Sequence, residues 1–159
     1  MTPGKLTAVG FQRSARSALT RIGLLALLLA GCAPSLEQQK VWVQQGDLRL
    51  EKISSRAVLD AWGAPAYQFR DFVQFYRLTN GQHVPQFRVP LGEAPTDWDS
   101  SADMGIGLFL AYPDRGQLVG FLEDRLVYFE KLPPETIHEI GKTWQREKQF
   151  RPQRALTPR

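Results

Sequence analysis

The chain has 159 residues, of which 43% are hydrophobic, 11% aromatic and 23% charged; this composition is typical of a folded domain and excludes disordered, collagen-like and disulfide-rich proteins. The net charge of +4 arises from four basic residues before residue 32, a stretch without acidic residues, so residues 32–159 hold 16 basic and 16 acidic residues. This neutral remainder gives no reason to expect nucleic acid as a partner.

The first 31 residues have the layout of a signal peptide. A basic stretch without acidic residues runs to Arg21, an apolar run occupies residues 22–29, and the small residues Ala30 and Gly31 close the segment. The apolar run is about half as long as the roughly 20 residues that a membrane-spanning helix needs. We therefore predict that residues 1–31 are cleaved off.

The residues that flank the predicted cleavage site, Leu29, Ala30, Gly31 and Cys32, resemble the lipobox of bacterial lipoproteins. The resemblance implies that Cys32 carries diacylglycerol and an amine-linked acyl chain such as palmitate, which anchor a protein far more firmly than one acyl chain does. Ala33 follows where no aspartate stands, which by resemblance to Gram-negative sorting implies the periplasmic face of the outer membrane. The alternative is an ordinary secretory signal with a chance cysteine.

Cys32 is the only cysteine of the chain, so the remainder can hold neither a disulfide nor a cysteine-based metal or catalytic site. Residues 32–46 are predicted to be the lipidated cysteine and a tether, because residues 33–40 are polar and lack an apolar period. We expect the folded domain over residues 47–150 and a basic C-terminal tail over residues 151–159.

The first predicted helix lies between Ser54 or Ser55, which can cap its free amides, and Gly63, which with Pro65 ends it. Its apolar residues recur on one face, which we expect to be buried against a larger element. These residues are Val58, Ala61 and Trp62.

Strands are predicted from residue 67 onward, because aromatic and branched residues dominate. Residues 69–78 and 84–89 form a hairpin around Asn80-Gly81, with Pro85 facing an edge, and residues 91–105 are a loop. Three further apolar runs predict an antiparallel meander over residues 106–112, 117–122 and 126–129.

A second helix is predicted after Pro133-Pro134, with Ile137, Ile140 and Trp144 on one face, and Pro152 is expected to end it near Phe150. Two short helices with four to five hairpin-linked strands predict an α+β fold of two layers, in which the helices cover one face of an antiparallel sheet.

The capped Ser54-Ser55, Val58-Leu59 and Trp62-Gly63-x-Pro65, followed by antiparallel strands and preceded by a lipobox, resemble the SmpA/OmlA family of small outer-membrane lipoproteins. The resemblance covers roughly residues 50–130. It implies the BamE-like fold, with helices packed on an antiparallel sheet, and a role in outer-membrane assembly or maintenance. It assigns no functional residue.

Two groups of residues have side chains that metals use as ligands, and we expect neither group to bind a metal ion. Asp97 to Asp103 places oxygen side chains at alternating positions, as in a calcium loop, but Ala102 stands where a glycine is needed and Leu108 where a glutamate completes the shell. The two histidines, His83 and His138, lack partners at zinc-site spacing and are expected at the surface.

No catalytic residue is predicted either. The chain lacks a nucleophile motif, and Gly105-Ile106-Gly107 lacks the third glycine and the helix of a dinucleotide loop. Glu123-Asp124 remains open as one half of an acid–base pair across the sheet. We therefore expect a non-enzymatic protein without a cofactor.

Four tryptophans are many for a small domain, and two of them are candidates for a contact surface. Trp62 and Trp144 belong to the apolar faces of the helices, whereas Trp42 and Trp98 lie in an edge segment and a polar loop. Trp42 and Trp98 are therefore the candidates for contacting a partner, with burial in the core as the alternative.

The C-terminal part of the chain is strongly basic. Residues 142–159 contain six basic residues and one acidic residue, so residues 32–141 carry the opposite excess of five acidic residues. Arg151 and Arg154 are candidates for contacting anionic lipid or an acidic partner. The alternative is a solvated helix end, since cations are favourable there.

Location and missing catalytic motifs together favour a lipid-anchored, periplasm-facing binding or scaffolding protein that contacts another envelope protein. The alternative is a tethered ligand-binding or hydrolytic domain that acts on cell-wall or lipid material. An exposed apolar patch or open strand edge would favour the first, and a histidine or carboxylate pair in a closed pocket the second.

Overall fold

The computed structural model describes residues 33–91 and 93–150, with the backbone alone for residues 148–150. The chain divides into two units, residues 1–33 and 34–159, and the described helices and strands all belong to the second. The predicted signal peptide, Cys32 and the tail over residues 151–159 lie outside the described residues. Within the described part, no helix is long and apolar enough to cross a bilayer.

The described part of the second unit holds three α-helices and five β-strands. In chain order these are α1 (Leu36–Gln44), α2 (Ser55–Trp62), β1 (Tyr67–Leu78), β2 (His83–Pro85), β3 (Trp98–Tyr112), β4 (Gln117–Leu122), β5 (Arg125–Lys131) and α3 (Pro134–Phe150). All strand pairs are antiparallel, and the sheet order is β2-β1-β3-β4-β5. The predicted α+β fold with an antiparallel sheet is confirmed.

Helix α1 lies where a tether was predicted. The Ser35 side chain caps it by accepting a hydrogen bond from the Gln38 amide, and Val43 on its inner face is completely buried. The tether prediction is therefore wrong for α1, and the domain begins near residue 34 instead of residue 47. A helix with so few apolar residues is stable only through contacts with another element, which the local pattern does not reveal.

That other element is α2. The indole nitrogen of Trp62 donates to the Val43 carbonyl at 3.1 Å, and the Gln39 side chain accepts from the amide and hydroxyl of Ser54 at 2.8 and 2.9 Å. Ser54 in turn caps α2 by accepting from the Ala57 amide. Gly63 ends α2 with φ +81°, a left-handed conformation that favours glycine. Both predicted boundaries of α2 are confirmed.

The β1–β2 hairpin forms around Gly81, whose φ is +86°. Its second strand is shorter than predicted, because a 3-10 turn (Gln86–Arg88) follows β2 directly. The predicted loop over residues 91–105 is wrong in its second half, since residues 98–105 form the start of β3 and pair with the long β1. This part of β3 is mostly exposed, and its residues are largely polar, so the sequence there resembles that of a loop.

Two cores lie on opposite faces of the sheet. The first is covered by α3 and contains Phe69, Val73, Phe75, Phe109, Ala111, Leu118, Val127, Tyr128, Ile137 and Trp144. The second is covered by α1 and α2 and contains Val43, Ile53, Ala57, Val58, Leu110, Tyr112, Val119, Phe121 and Leu126. Helices thus cover both faces of the sheet, where the sequence analysis placed them on one.

Helix α3 begins where predicted, after Pro133, and continues to Phe150, the last residue that the structure describes. Gly141 faces the sheet so closely that a Cβ atom there would lie 2.2 Å from Cγ of Tyr67. The Trp144 ring stacks on Phe69 with centroids 5.3 Å apart. Close approach at Gly141 therefore seats Trp144 in the first core.

Candidate functional site

The two tryptophans predicted to contact a partner differ in exposure. Trp42 is half-buried against the second core, and the Arg49 guanidinium lies 4.1 Å from its ring centroid. Trp98 is 38% exposed at the start of β3, packs edge-on against Tyr76 and donates to the Ser101 carbonyl at 2.7 Å. Trp98 thus presents more of its ring to solvent than a core residue does.

His83 was expected at the surface, and this prediction is wrong. The ring is only 7% exposed, because β2 places it beside β1 and β3. Its Nε2 lies 2.9 Å from Oδ2 of Asp103, which also accepts from Arg77 at 3.0 Å, while its Nδ1 is buried without a partner among the described residues. His138 is exposed, as expected, and shares a hydrogen bond of 3.0 Å with the Tyr67 hydroxyl.

A polar cleft of about 510 Å3 contains His83. Its two cations are paired within it, Arg77 with Asp103, and Arg125 with Glu51 at 2.9 Å and Glu123 at 3.1 Å. No serine, threonine or cysteine lines the cleft among the described residues. The cleft thus holds a histidine–carboxylate pair that links β2 to β3, beside two arginines that are each paired with carboxylates.

The acidic residues considered above as acid–base or metal-binding groups each form hydrogen bonds or ion pairs with different neighbours. Asp124 accepts from the amide and hydroxyl of Ser55, whereas Glu123 binds Arg125. Asp99 accepts from the hydroxyl and amide of Ser101, and these bonds hold the pKa of the Asp99 carboxyl below its usual value. In the described part of the chain, no three acidic, histidine or cysteine side chains are grouped as a metal site requires.

An apolar surface lies on the sheet beside α1 and α2, where these helices leave β1 and the first part of β3 uncovered. Phe72 and Ile106 are register partners on this face and are 62% and 58% exposed, and Met104 beside them is 64% exposed. We call these three residues the open sheet face. A depression of about 520 Å3, lined by Arg70, Leu108 and Asp124 among others, borders it at Ile106.

A second apolar feature lies on the other face, along α3. This groove of about 590 Å3 runs between α3, β1 and the 3-10 turn after β2, and we call it the α3 groove. Its apolar lining comprises Phe69, Phe72, Val73, Phe87, Val89, Leu91, Ile140 and Trp144, and its polar lining Asp71, Gln86, Glu139, Thr143 and Glu147. No lysine, arginine or histidine lines the α3 groove among the described residues.

A half-buried ion pair fixes the wall of the α3 groove that carries Phe87. Arg88 donates two hydrogen bonds to the Glu130 carboxylate, at 2.8 and 3.0 Å, and the Tyr128 hydroxyl donates a third. Burial opposes ionisation of Glu130, but the bonds from Arg88 and Tyr128 outweigh it and hold the pKa of Glu130 below its usual value. Burial, aided by Glu130, raises the pKa of Tyr128. The turn is therefore tied to β5 by a charge-assisted network.

Neither apolar feature was found in the sequence. One signal was present for the open sheet face, since the apolar residues of β1 fall on both faces of the strand, with Phe72 and Tyr76 opposite to Phe69, Val73 and Phe75. A strand with one buried face alternates instead. The α3 groove had no such signal, because Phe87 and Trp144 meet only through the tertiary fold.

Comparison of the chain with protein-family models, with curated proteins and with solved structures gives no significant match.

Proposed function

We propose that this protein is a lipoprotein anchored through Cys32 on the periplasmic face of the outer membrane, and that its domain binds another envelope protein without catalysing a reaction. The lipobox at residues 29–32 supports the anchor, and Ala33 supports the sorting. The binding role is supported by the surface of the domain.

The short distance between anchor and fold favours a partner that is itself in the membrane. Only residues 33–35 separate Cys32 from α1, and three extended residues span about 10 Å. A domain held so close to its anchor meets proteins embedded in or bound to the same bilayer. It has little access to partners deeper in the periplasm.

The observation that carries the binding role is the open sheet face. Its three large apolar side chains are each more than half exposed and belong to neither core. Exposed apolar side chains that adjoin one another, with a methionine and an aromatic ring among them, are typical of protein contact surfaces. An apolar surface of an outer-membrane protein is the occupant that fits both this face and the anchor.

The hydrolytic alternative has less support. His83 pairs with Asp103 as a general base would, but the cleft provides no nucleophile, and both arginines there are neutralised by carboxylates. The domain thus offers a surface for contact more readily than groups for chemistry.

Mass spectrometry of the membrane-extracted protein tests the anchor. We expect an acylated N-terminal Cys32, and a Cys32→Ser variant that carries no acyl chain and keeps residues 1–31. A mature chain that begins elsewhere, or an N-terminal Cys32 without acyl chains, would contradict the anchor.

Site-specific photocrosslinking in intact cells tests the binding role. A photoreactive residue at Met104 or Ile106 should capture the same identified outer-membrane protein, and Phe72→Asp in the same chain should abolish the capture. Gln145, exposed on α3 at the other side of the sheet, is the matched control position. Equal capture from Gln145, or capture that Phe72→Asp leaves unchanged, would refute the role of the open sheet face; capture of a second copy would identify a homodimer instead.

A further inference from the structure

Among the described residues, the lining of the α3 groove includes acidic side chains and no basic one, and Arg146 borders it by donating to the Thr143 hydroxyl at 3.3 Å. Glu139 and Glu147 stand two turns apart on α3, on either side of Thr143, and Asp71 faces them from β1. The carboxylates of Glu139 and Glu147 form no ion pair with the side chains that the structure describes. The carbonyl end of α3 adds further negative potential at this end of the groove. An occupant of the α3 groove should therefore be cationic.

The floor between these carboxylates is apolar and rigid. Trp144 is stacked on Phe69, and Phe87 packs edge-on against Trp144 with centroids 5.9 Å apart. Phe87 is still 39% exposed, and Leu91 at the rim is completely exposed. An occupant should therefore also bring an apolar side chain that covers Phe87 and Leu91.

Residues 151–159 have this combination and start beside the groove. The segment contains Arg151, Arg154 and Arg159, one leucine, Leu156, and no acidic residue. Pro152 cannot continue α3, because it has no amide to donate and disfavours a helical conformation at Arg151. The chain must therefore leave the helix one turn after Glu147.

The segment is long enough to reach the whole groove. Nine extended residues span about 30 Å, whereas the eight-residue rise from Glu147 to Glu139 is about 12 Å. Because the segment is covalently attached, its effective concentration at the groove is on the order of millimolar. Weak ion pairs and one apolar contact are then sufficient for occupancy.

We propose that residues 151–159 turn back along α3 and occupy the α3 groove, with their arginines at Glu139 and Glu147 and Leu156 over the aromatic floor. This proposal does not rest on the partner-binding role of the open sheet face, whose Met104 and Ile106 lie on the other side of the sheet, although Phe72 borders both surfaces. It also differs from the docking of these residues on anionic lipid, because the acidic surface is supplied by the domain itself.

Disulfide trapping can test the proposal without interference, since the chain from Ala33 onward retains the compact unit that begins at Pro34 and has no cysteine. Thr157→Cys is combined with Thr143→Cys, inside the groove, or with Gln145→Cys, exposed on the same helix outside the groove. The two pairs have nearly the same separation along the chain. For each variant, equilibration in a glutathione redox buffer gives the effective concentration of one cysteine thiol at the other.

We expect the Thr143 pair to have an effective concentration at least about tenfold higher than the Gln145 pair. This advantage should shrink severalfold when the salt concentration rises from about 50 mM to about 500 mM, and also when Glu139→Gln and Glu147→Gln are introduced together. These two residues are exposed, so the double variant should fold normally, which its thermal transition will verify.

Equal effective concentrations of the two pairs, measured without lipid, would overturn the proposal and leave the segment free to meet an anionic membrane. A preference for Thr143 that neither salt nor the double variant reduces would overturn the charge complementarity on which the proposal rests.

Discussion

Replacing Gly141 with alanine has two opposing effects on the free energy of unfolding: a gain in helix propensity and a steric cost. In the middle of a helix, Gly→Ala normally stabilises a protein by about 0.5–1 kcal/mol, because glycine loses more backbone entropy on folding. In α3, however, the new methyl group would lie 2.2 and 2.3 Å from two ring carbons of Tyr67. Overpacking of this kind typically costs about 1–3 kcal/mol.

The ring cannot move away without further loss. Tyr67 is half-buried, its hydroxyl is hydrogen-bonded to His138, and its ring packs edge-on against the same histidine with centroids 5.7 Å apart. Because contacts of 2.2 and 2.3 Å correspond to the upper part of the overpacking range, about 2–3 kcal/mol, and the helix gain is about 0.5–1 kcal/mol, we expect Gly141→Ala to lower the free energy of unfolding by about 1–2.5 kcal/mol.

A double-mutant cycle measured by urea unfolding identifies the cause. Tyr67→Ala removes the ring and is destabilising alone, but in its background Gly141→Ala should raise stability by about 0.5–1 kcal/mol, since only the helix effect remains. The sign of the Gly141→Ala effect should thus reverse between the two backgrounds. A stabilising effect in the natural background, or the same effect in both, would refute the close packing of α3 against Tyr67.

Three further predictions concern α1, the ion pair and the acid range. Val43→Ala should lower the free energy of unfolding by about 1–3 kcal/mol, because the Val43 side chain is completely buried. Val41 is 43% exposed on the same helix, so Val41→Ala should change the free energy of unfolding by less than about 0.5 kcal/mol. Equal effects of the two substitutions in chemical denaturation would contradict the packing of α1. Glu130→Gln should cost about 1–2 kcal/mol near neutral pH, because Arg88 loses a charge-assisted bond in a half-buried site. The pKa of Glu130 is lower in the folded state than its ordinary value of 4.5, so the ionised carboxylate stabilises the fold above pH 4.5, and this stabilisation is lost as the pH falls through the folded pKa. The stability difference between the natural protein and Glu130→Gln should therefore narrow in acid. A constant difference in melting temperature at several pH values would argue against this ion pair.

The elements that could be predicted from the sequence are those with local signals. Ser54 and Gly63 mark both ends of α2, and Asn80-Gly81 marks the hairpin. The continuous apolar run at the end of β3 is also a local signal, because consecutive apolar residues such as Phe109 to Tyr112, all buried, indicate a strand that is covered on both faces.

The remaining features depend on contacts between distant residues. Helix α1 is stabilised by Trp62 and Ser54, which lie outside it. His83 looks like a hairpin residue at the surface until β3 brings Asp103 to it. The α3 groove requires Phe87 and Trp144 to meet, and nothing near either residue in the sequence indicates the other.

The central strands are shared by both cores, and this couples the two faces of the domain. Along β3, Phe109 belongs to the core under α3 and its neighbour Leu110 to the core under α1 and α2. Neither helical layer can detach without exposing strands that the other layer needs. In native-state hydrogen exchange, the amides of Leu110 and Val119 should therefore exchange only through global opening, and a species that keeps one core while losing the other should not accumulate.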